Sequence, residues 1–108
     1  MLKEYCIVLS TFESEEQAEP ILDEIVREGF GACIQMIPIK SKYLWKGEIC
    51  CDTEVLVLIK TKNELYESLQ EMLSAKHPYE TPEIIKIDIA EGAQAYLSWI
   101  SEVTRDAQ

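Results

Sequence analysis

The chain contains a single histidine, His77, among 108 residues. One imidazole, with no Ser/His/Asp or Cys/His spacing around it, leaves a nucleophile–base pair without support. A non-enzymatic role is therefore expected. None of the four cysteines, Cys6, Cys33, Cys50 and Cys51, forms a Cys-x-x-Cys pair. This excludes zinc-ribbon, thioredoxin-type and small copper-chaperone motifs. The four glycines fall at expected turns and helix ends, so there is no glycine-rich phosphate loop. Basic residues are also scarce, ten against twenty acidic ones, for a formal charge of −10. Nucleic acids and anionic membranes need basic patches and are excluded as main partners. Unbroken apolar runs reach only about five residues, too short to span a bilayer. The opening MLKEYCIVL lacks the apolar core and small-residue cleavage site of a signal peptide. A cytoplasmic location is expected, with all four cysteines reduced and dispensable for folding.

What is present reads as one α+β domain over residues 1–108. Glu4 to Phe12 is a strand by its β-branched and aromatic content. Ser14 to Gln17 (SEEQ) is a capping box, followed by apolar residues at helical spacing as far as Gly29. Pro20 interrupts that helix and is expected to kink it or delay its start. Ala32 to Trp45 reads as a long strand, which Pro38 assigns to a sheet edge or a bulge. Lys46-Gly47 is a hairpin turn, and Glu48 to Thr61 the return strand. Asn63 is expected to cap a second helix with Leu65, Leu69, Met72 and Leu73 inside, and Pro78 ends that helix near Lys76 or His77. Pro82 to Ile89 is a fourth strand, and Tyr96, Trp99, Ile100 and Val103 mark a last short helix.

Strand, helix, strand, strand, helix, strand is the ferredoxin-like pattern, with an expected strand order of 4-1-3-2. Right-handed crossovers then place both main helices on one face. The central strands are nevertheless apolar on both faces, and the last helix is too short to cover the second. Further copies of the chain are the expected cover.

The same topology brings the end of strand one, the end of helix two and the start of strand four to one edge. Ser10 and Thr11 should therefore lie near His77 to Pro82, with the hairpin tip, Tyr43 to Gly47, on the same side. Cys33 belongs at the far end. Two readings of His77 stand side by side, a cap on helix carbonyls and a metal ligand. Tyr79 and Glu80 are either oxygen donors or a packed ring and a solvated carboxylate. Asp52 and Glu54 read as solvated strand residues. Tyr43 and Trp45 are costly to leave in water and fit burial against a partner subunit better than a ligand platform.

The segments ACIQMIP (Ala32 to Pro38), SKYLWKGEI (Ser41 to Ile49), DTEVLVLIKT (Asp52 to Thr61), HPYETPEI (His77 to Ile84) and YLSWI (Tyr96 to Ile100) resemble the CutA family, and they span nearly the whole chain in the expected order. The resemblance implies a ferredoxin-like subunit in a tight homotrimer. It also implies a role linked to copper and other divalent-metal tolerance, with no required cofactor. It holds His77, Tyr79 and Glu80 at a corner beside a cleft between subunits; Ser10, Tyr43, Trp45, Lys76, Tyr79 and Glu80 are the candidate ligand-cleft residues, and His77 is the candidate metal ligand. Two positions depart from the family pattern. Members with a proposed copper site carry cysteine where this chain has Ser10, and can carry histidine where it has Lys76. A hydroxyl and an ammonium are poor copper ligands, so weak copper binding is expected. The competing reading is a PII-like trimeric regulator binding a nucleotide or small anion, for which Lys40, Lys42 and Lys46 are the nearby bases. An acylphosphatase-type enzyme would need an arginine after strand one, where STFESEE is acidic.

Overall fold

A computed structural model describes residues 4–107. The expected domain limits, 1 and 108, lie outside the described residues. Its elements are β1 (Tyr5–Phe12), α1 (Glu15–Arg27), β2 (Cys33–Trp45), β3 (Glu48–Lys62), α2 (Tyr66–Lys76), β4 (Ile85–Asp88) and α3 (Gln94–Val103). The four strands form one antiparallel sheet in the order β2-β3-β1-β4, the ferredoxin-like order read from the sequence. β2 is at an edge, where Pro38 leaves no ladder hydrogen bond unmade.

Alternation along β1 sorts its residues between two faces. Cys6, Val8 and Phe12 point into the core with Val57 and Ile59 of β3, Ala18, Leu22 and Ile25 of α1, and Leu69 and Leu73 of α2. Both main helices therefore cover one face. Opposite them, α3 crosses only part of the second face. Tyr5 and Ser101 share a hydroxyl hydrogen bond at 2.7 Å, and the Lys60 ammonium lies 5.4 Å from the Tyr96 ring. Ile37, Ile85 and Ile87 remain about half exposed.

Local signals account for most boundaries. Ser14 caps α1 by accepting from the Gln17 amide at 3.1 Å, and the Gln17 side chain accepts from the Glu13 amide at 2.9 Å. The box thus closes one residue earlier than its usual form. Pro20 does not delay the helix, which begins at Glu15 and runs through it. The hairpin tip places Lys46 at φ 49° and Gly47 at φ 81°, the paired left-handed conformation of a two-residue hairpin loop.

Two expectations are corrected. Asn63 does not cap α2. Its amide donates to the Glu4 carbonyl at 2.9 Å, so it still belongs to the sheet end, and a single 3-10 turn over Asn63–Leu65 precedes the helix. The fourth strand is shorter than expected, Ile85–Asp88 rather than Pro82 to Ile89. Its ladder with β1 runs only from Cys6 to Leu9, and Pro82 has no amide to extend it. Cys6 is buried, Cys33 and Cys50 are half-buried and Cys51 is exposed, all four as free thiols.

Gly31 is packed tightly between α1 and β3. A methyl group there would stand 2.8 Å from Ile59 Cγ2 and 3.0 Å from Ile25 Cγ2. Gly31→Ala should lower stability by about 1–3 kcal/mol through overpacking. The check is the denaturation midpoint of the variant. An unchanged midpoint would show that the α1–β3 packing yields freely.

Candidate functional site

Pro78 stops α2 at Lys76 and holds the residue before it in extended backbone, φ −68° and ψ 134° at His77. That turn aims the imidazole inward. His77 is only 8% exposed and stacks on Phe12 with ring centroids 4.4 Å apart. Its Nε2–H donates to the Thr11 carbonyl at 2.8 Å, and its Nδ1 accepts from the Tyr79 amide at 3.1 Å. A carbonyl can only accept and an amide N–H can only donate, so these partners fix the neutral tautomer. Burial lowers the imidazole pKa from its ordinary value, against the opposing pull of the Thr11 hydrogen bond and the Glu54 charge.

The latch carries Tyr79 across the end of β1. Its phenol donates to Glu54 Oε2 at 2.8 Å. Burial, followed by that hydrogen bond, raises the phenol pKa. On the hairpin, the Tyr43 hydroxyl donates to Asp52, and this bond to a carboxylate is the main cause of a phenol pKa pushed up to about 12. Between the hairpin and the corner lies an open groove of about 770 Å³. Tyr43, Trp45 and Tyr79 form its aromatic walls, and Thr11, Thr53 and Thr81 also border it. Glu13, Asp52, Glu54, Glu80 and Glu83 supply five carboxylates, and no lysine or arginine lines it.

Four of the six cleft residues expected from the sequence, Tyr43, Trp45, Tyr79 and Glu80, line this groove. Two do not. Ser10 faces the core, fully buried, with its hydroxyl unpartnered among the described residues. It is adjacent to Thr11 as the topology requires, but strand alternation turns its side chain to the opposite face. Lys76 reaches back to α1, where its ammonium lies 3.2 Å from Glu24. The sequence reading placed Thr11 at this corner but missed Glu13, Glu83, Thr53 and Thr81, and set aside Asp52 and Glu54 as solvated. A tyrosine at either side of the Asp52–Glu54 pair was the signal available.

The family model described as CutA1 divalent ion tolerance protein matches residues 6–103. The chain belongs to that family. It is 42% identical over 99 residues to the divalent-cation tolerance protein CutA of Thermus thermophilus, covering 91% of this chain and 96% of that one. A chloroplastic CutA of Arabidopsis thaliana is 37% identical, and there the alignment covers 93% of this chain but 56% of the relative. Among solved structures, CutA1 from Oryza sativa superposes with a TM-score of 0.93 at 33% identity over 97% of each chain. The family thus fixes the ferredoxin-like fold and the link to divalent-ion tolerance. It does not fix a compartment, since one of these relatives is chloroplastic. No helix among the described residues is long and apolar enough to cross a membrane.

Copper, the metal the resemblance brings, is poorly matched by the donors present. Ligation by His77 requires a nitrogen lone pair, and the one it has is taken by the Tyr79 amide. In this structure both ring nitrogens of His77 are engaged with backbone groups, so the side chain acts as a structural latch. The remaining groove donors are oxygens, which suit hard cations rather than copper. Among the described residues, no three His, Cys, Asp or Glu side chains are placed to hold a metal ion together.

The latch makes stability depend on pH. The native pKa of His77 lies below the unfolded value of 6.5, so the native state resists protonation. Its contribution is complete above pH 6.5 and is lost as pH falls through the lowered native value. His77→Gln should remove this component of the acid slope while lowering stability at neutral pH by about 1–3 kcal/mol. Melting temperatures of both proteins across pH 4 to 8 test it. Parallel curves would mean that His77 contributes nothing specific.

Proposed function

We propose that the chain is a single-domain CutA-type tolerance protein that assembles as a homotrimer in the cytoplasm and takes up a cation in the groove near the subunit boundary. The observation carrying this reading is the groove itself, with five carboxylates and no base along its wall. A site of that sign attracts cations and repels anions. The same observation disfavours the PII-like alternative, because Lys40, Lys42 and Lys46 are absent from the groove lining. Binding rather than catalysis is supported by the commitment of both imidazole nitrogens to the backbone. No cofactor is needed for such a role, and the groove lining has no imidazole, thiol or thioether that would select copper over harder cations.

Support for assembly comes from apolar surface. Ile37, Ile85 and Ile87 stay exposed on the second sheet face. On the hairpin, Leu44 and Ile49 are cross-strand partners and are 69% and 77% exposed. An arm with that much apolar surface fits burial against another copy of the chain.

Light scattering should give about three times the chain mass of 12.4 kDa. Leu44→Asp with Ile49→Asp should reduce the mass toward one chain, because two like charges would face each other in a buried contact. A wild-type monomer would overturn the trimer. Calorimetry on the trimer should show divalent cations such as manganese binding, more weakly as salt is added, and ATP silent. A tight nucleotide with silent cations would favour the PII-like reading.

A further inference from the structure

We propose that the groove recognises a short organic diamine, with two ammonium groups, in preference to a bare metal ion. This rests on the cation-binding reading above and narrows the class of cation. The negative charge is ample but dispersed. Glu13 follows β1, Asp52 and Glu54 lie on β3, and Glu80 and Glu83 belong to the corner after α2. No three of the described carboxylates converge as a metal ion requires. A hard divalent ion needs about six oxygens at roughly 2.0–2.6 Å. Dispersed carboxylates instead match a ligand whose own charges are separated.

The walls fit the same chemistry. Tyr43 and Tyr79 each donate their hydroxyl to a carboxylate, Asp52 and Glu54 respectively. Each phenol is thereby held neutral beside a carboxylate, an arrangement suited to an ammonium and not to a phenolate–metal bond. Trp45 completes the aromatic set, and its ring already attracts an ammonium of the chain itself, with Lys46 Nζ 5.8 Å from the ring centroid. The groove of about 770 Å³ is far larger than an ion and its few ligands need, and a chain of four or five methylenes between two ammonium groups can lie against the rings.

The test is calorimetry on the intact assembly with 1,4-diaminobutane as probe, compared with N-acetyl-lysine amide, manganese and copper. The diamine should bind more tightly than the singly charged lysine derivative, and binding should weaken with added salt. Glu80→Gln with Glu83→Gln should weaken the diamine by about tenfold or more. Trp45→Leu should weaken it by roughly tenfold, while Trp45→Phe retains most of the affinity. Light scattering on each variant confirms that assembly is kept. A diamine that is silent on an intact trimer that binds manganese overturns this inference and leaves the cation reading standing. So does diamine binding that is indifferent to both glutamine substitutions, or matched by the lysine derivative. Silence of manganese and diamine alike overturns both.

Discussion

The two hydrogen bonds of the His77 ring constrain everything at this end of the molecule. One ties the end of α2 to the end of β1 through the Thr11 carbonyl. The other sets the backbone of Tyr79. Pro78 makes the turn that permits both, and Phe12 supplies the flat surface on which the ring rests. From there the order propagates outward: Tyr79 reaches Glu54 on β3, and Glu54 borders the hairpin whose Tyr43 and Asp52 form the other wall. An isolated helix-end carbonyl cap would have held α2 alone. An imidazole bridging two backbone segments joins three elements, which is why a histidine and not a lysine occupies the joint.

That constraint also separates the two faces of β1. On the core side, Val8, Ser10 and Phe12 are fully buried. On the other side Thr11 borders the groove. A site built from strand ends inherits this alternation, so adjacent residues can differ completely in role. Ser10 and Thr11 are neighbours, yet one is a buried hydroxyl in the helix-covered core and the other contributes to an open, acidic wall.

Topology was legible because it follows from periodicity and punctuation. The βαββαβ order, the edge position of β2 from Pro38, and the meeting of Thr11 with His77 all follow from strand directions and right-handed crossovers. So did the presence of Tyr43, Trp45, Tyr79 and Glu80 around one space. What escaped were choices among side-chain partners. Lys76 had a carboxylate on α1 within reach, and no periodic pattern shows which acid a lysine will choose. Asn63 has a good capping side chain, but its residue ends the sheet and opens a 3-10 turn, so the helix start falls at Tyr66, out of its capping position. His77 was open between cap and ligand because the sequence shows the nitrogen atoms and not their acceptors. Asp52 and Glu54 looked solvated because alternation on a strand does not show that a phenol nine residues before one, and another 25 residues after the other, will reach them.

The groove is costly to build, and that cost bears on its purpose. Five carboxylates near one end of a chain already carrying ten excess negative charges repel one another. Two of the five receive a phenol hydrogen bond, which disperses their charge without neutralising it. No lysine or arginine lines the groove among them; Lys76 is engaged with Glu24 on α1, and the nearest ammonium, that of Lys46, lies over the Trp45 ring at its wall. A surface selected only for stability would pair such acids. One selected to receive a cation must leave them unpaired until the cation arrives, and local rules are broken most often where a site demands it. The same logic separates cation classes. A metal ion rewards convergence of oxygens on one point, whereas an extended ammonium rewards their separation along a wall with aromatic faces between. The spread of these acids over three chain segments, with Tyr43, Trp45 and Tyr79 among them, follows the second pattern.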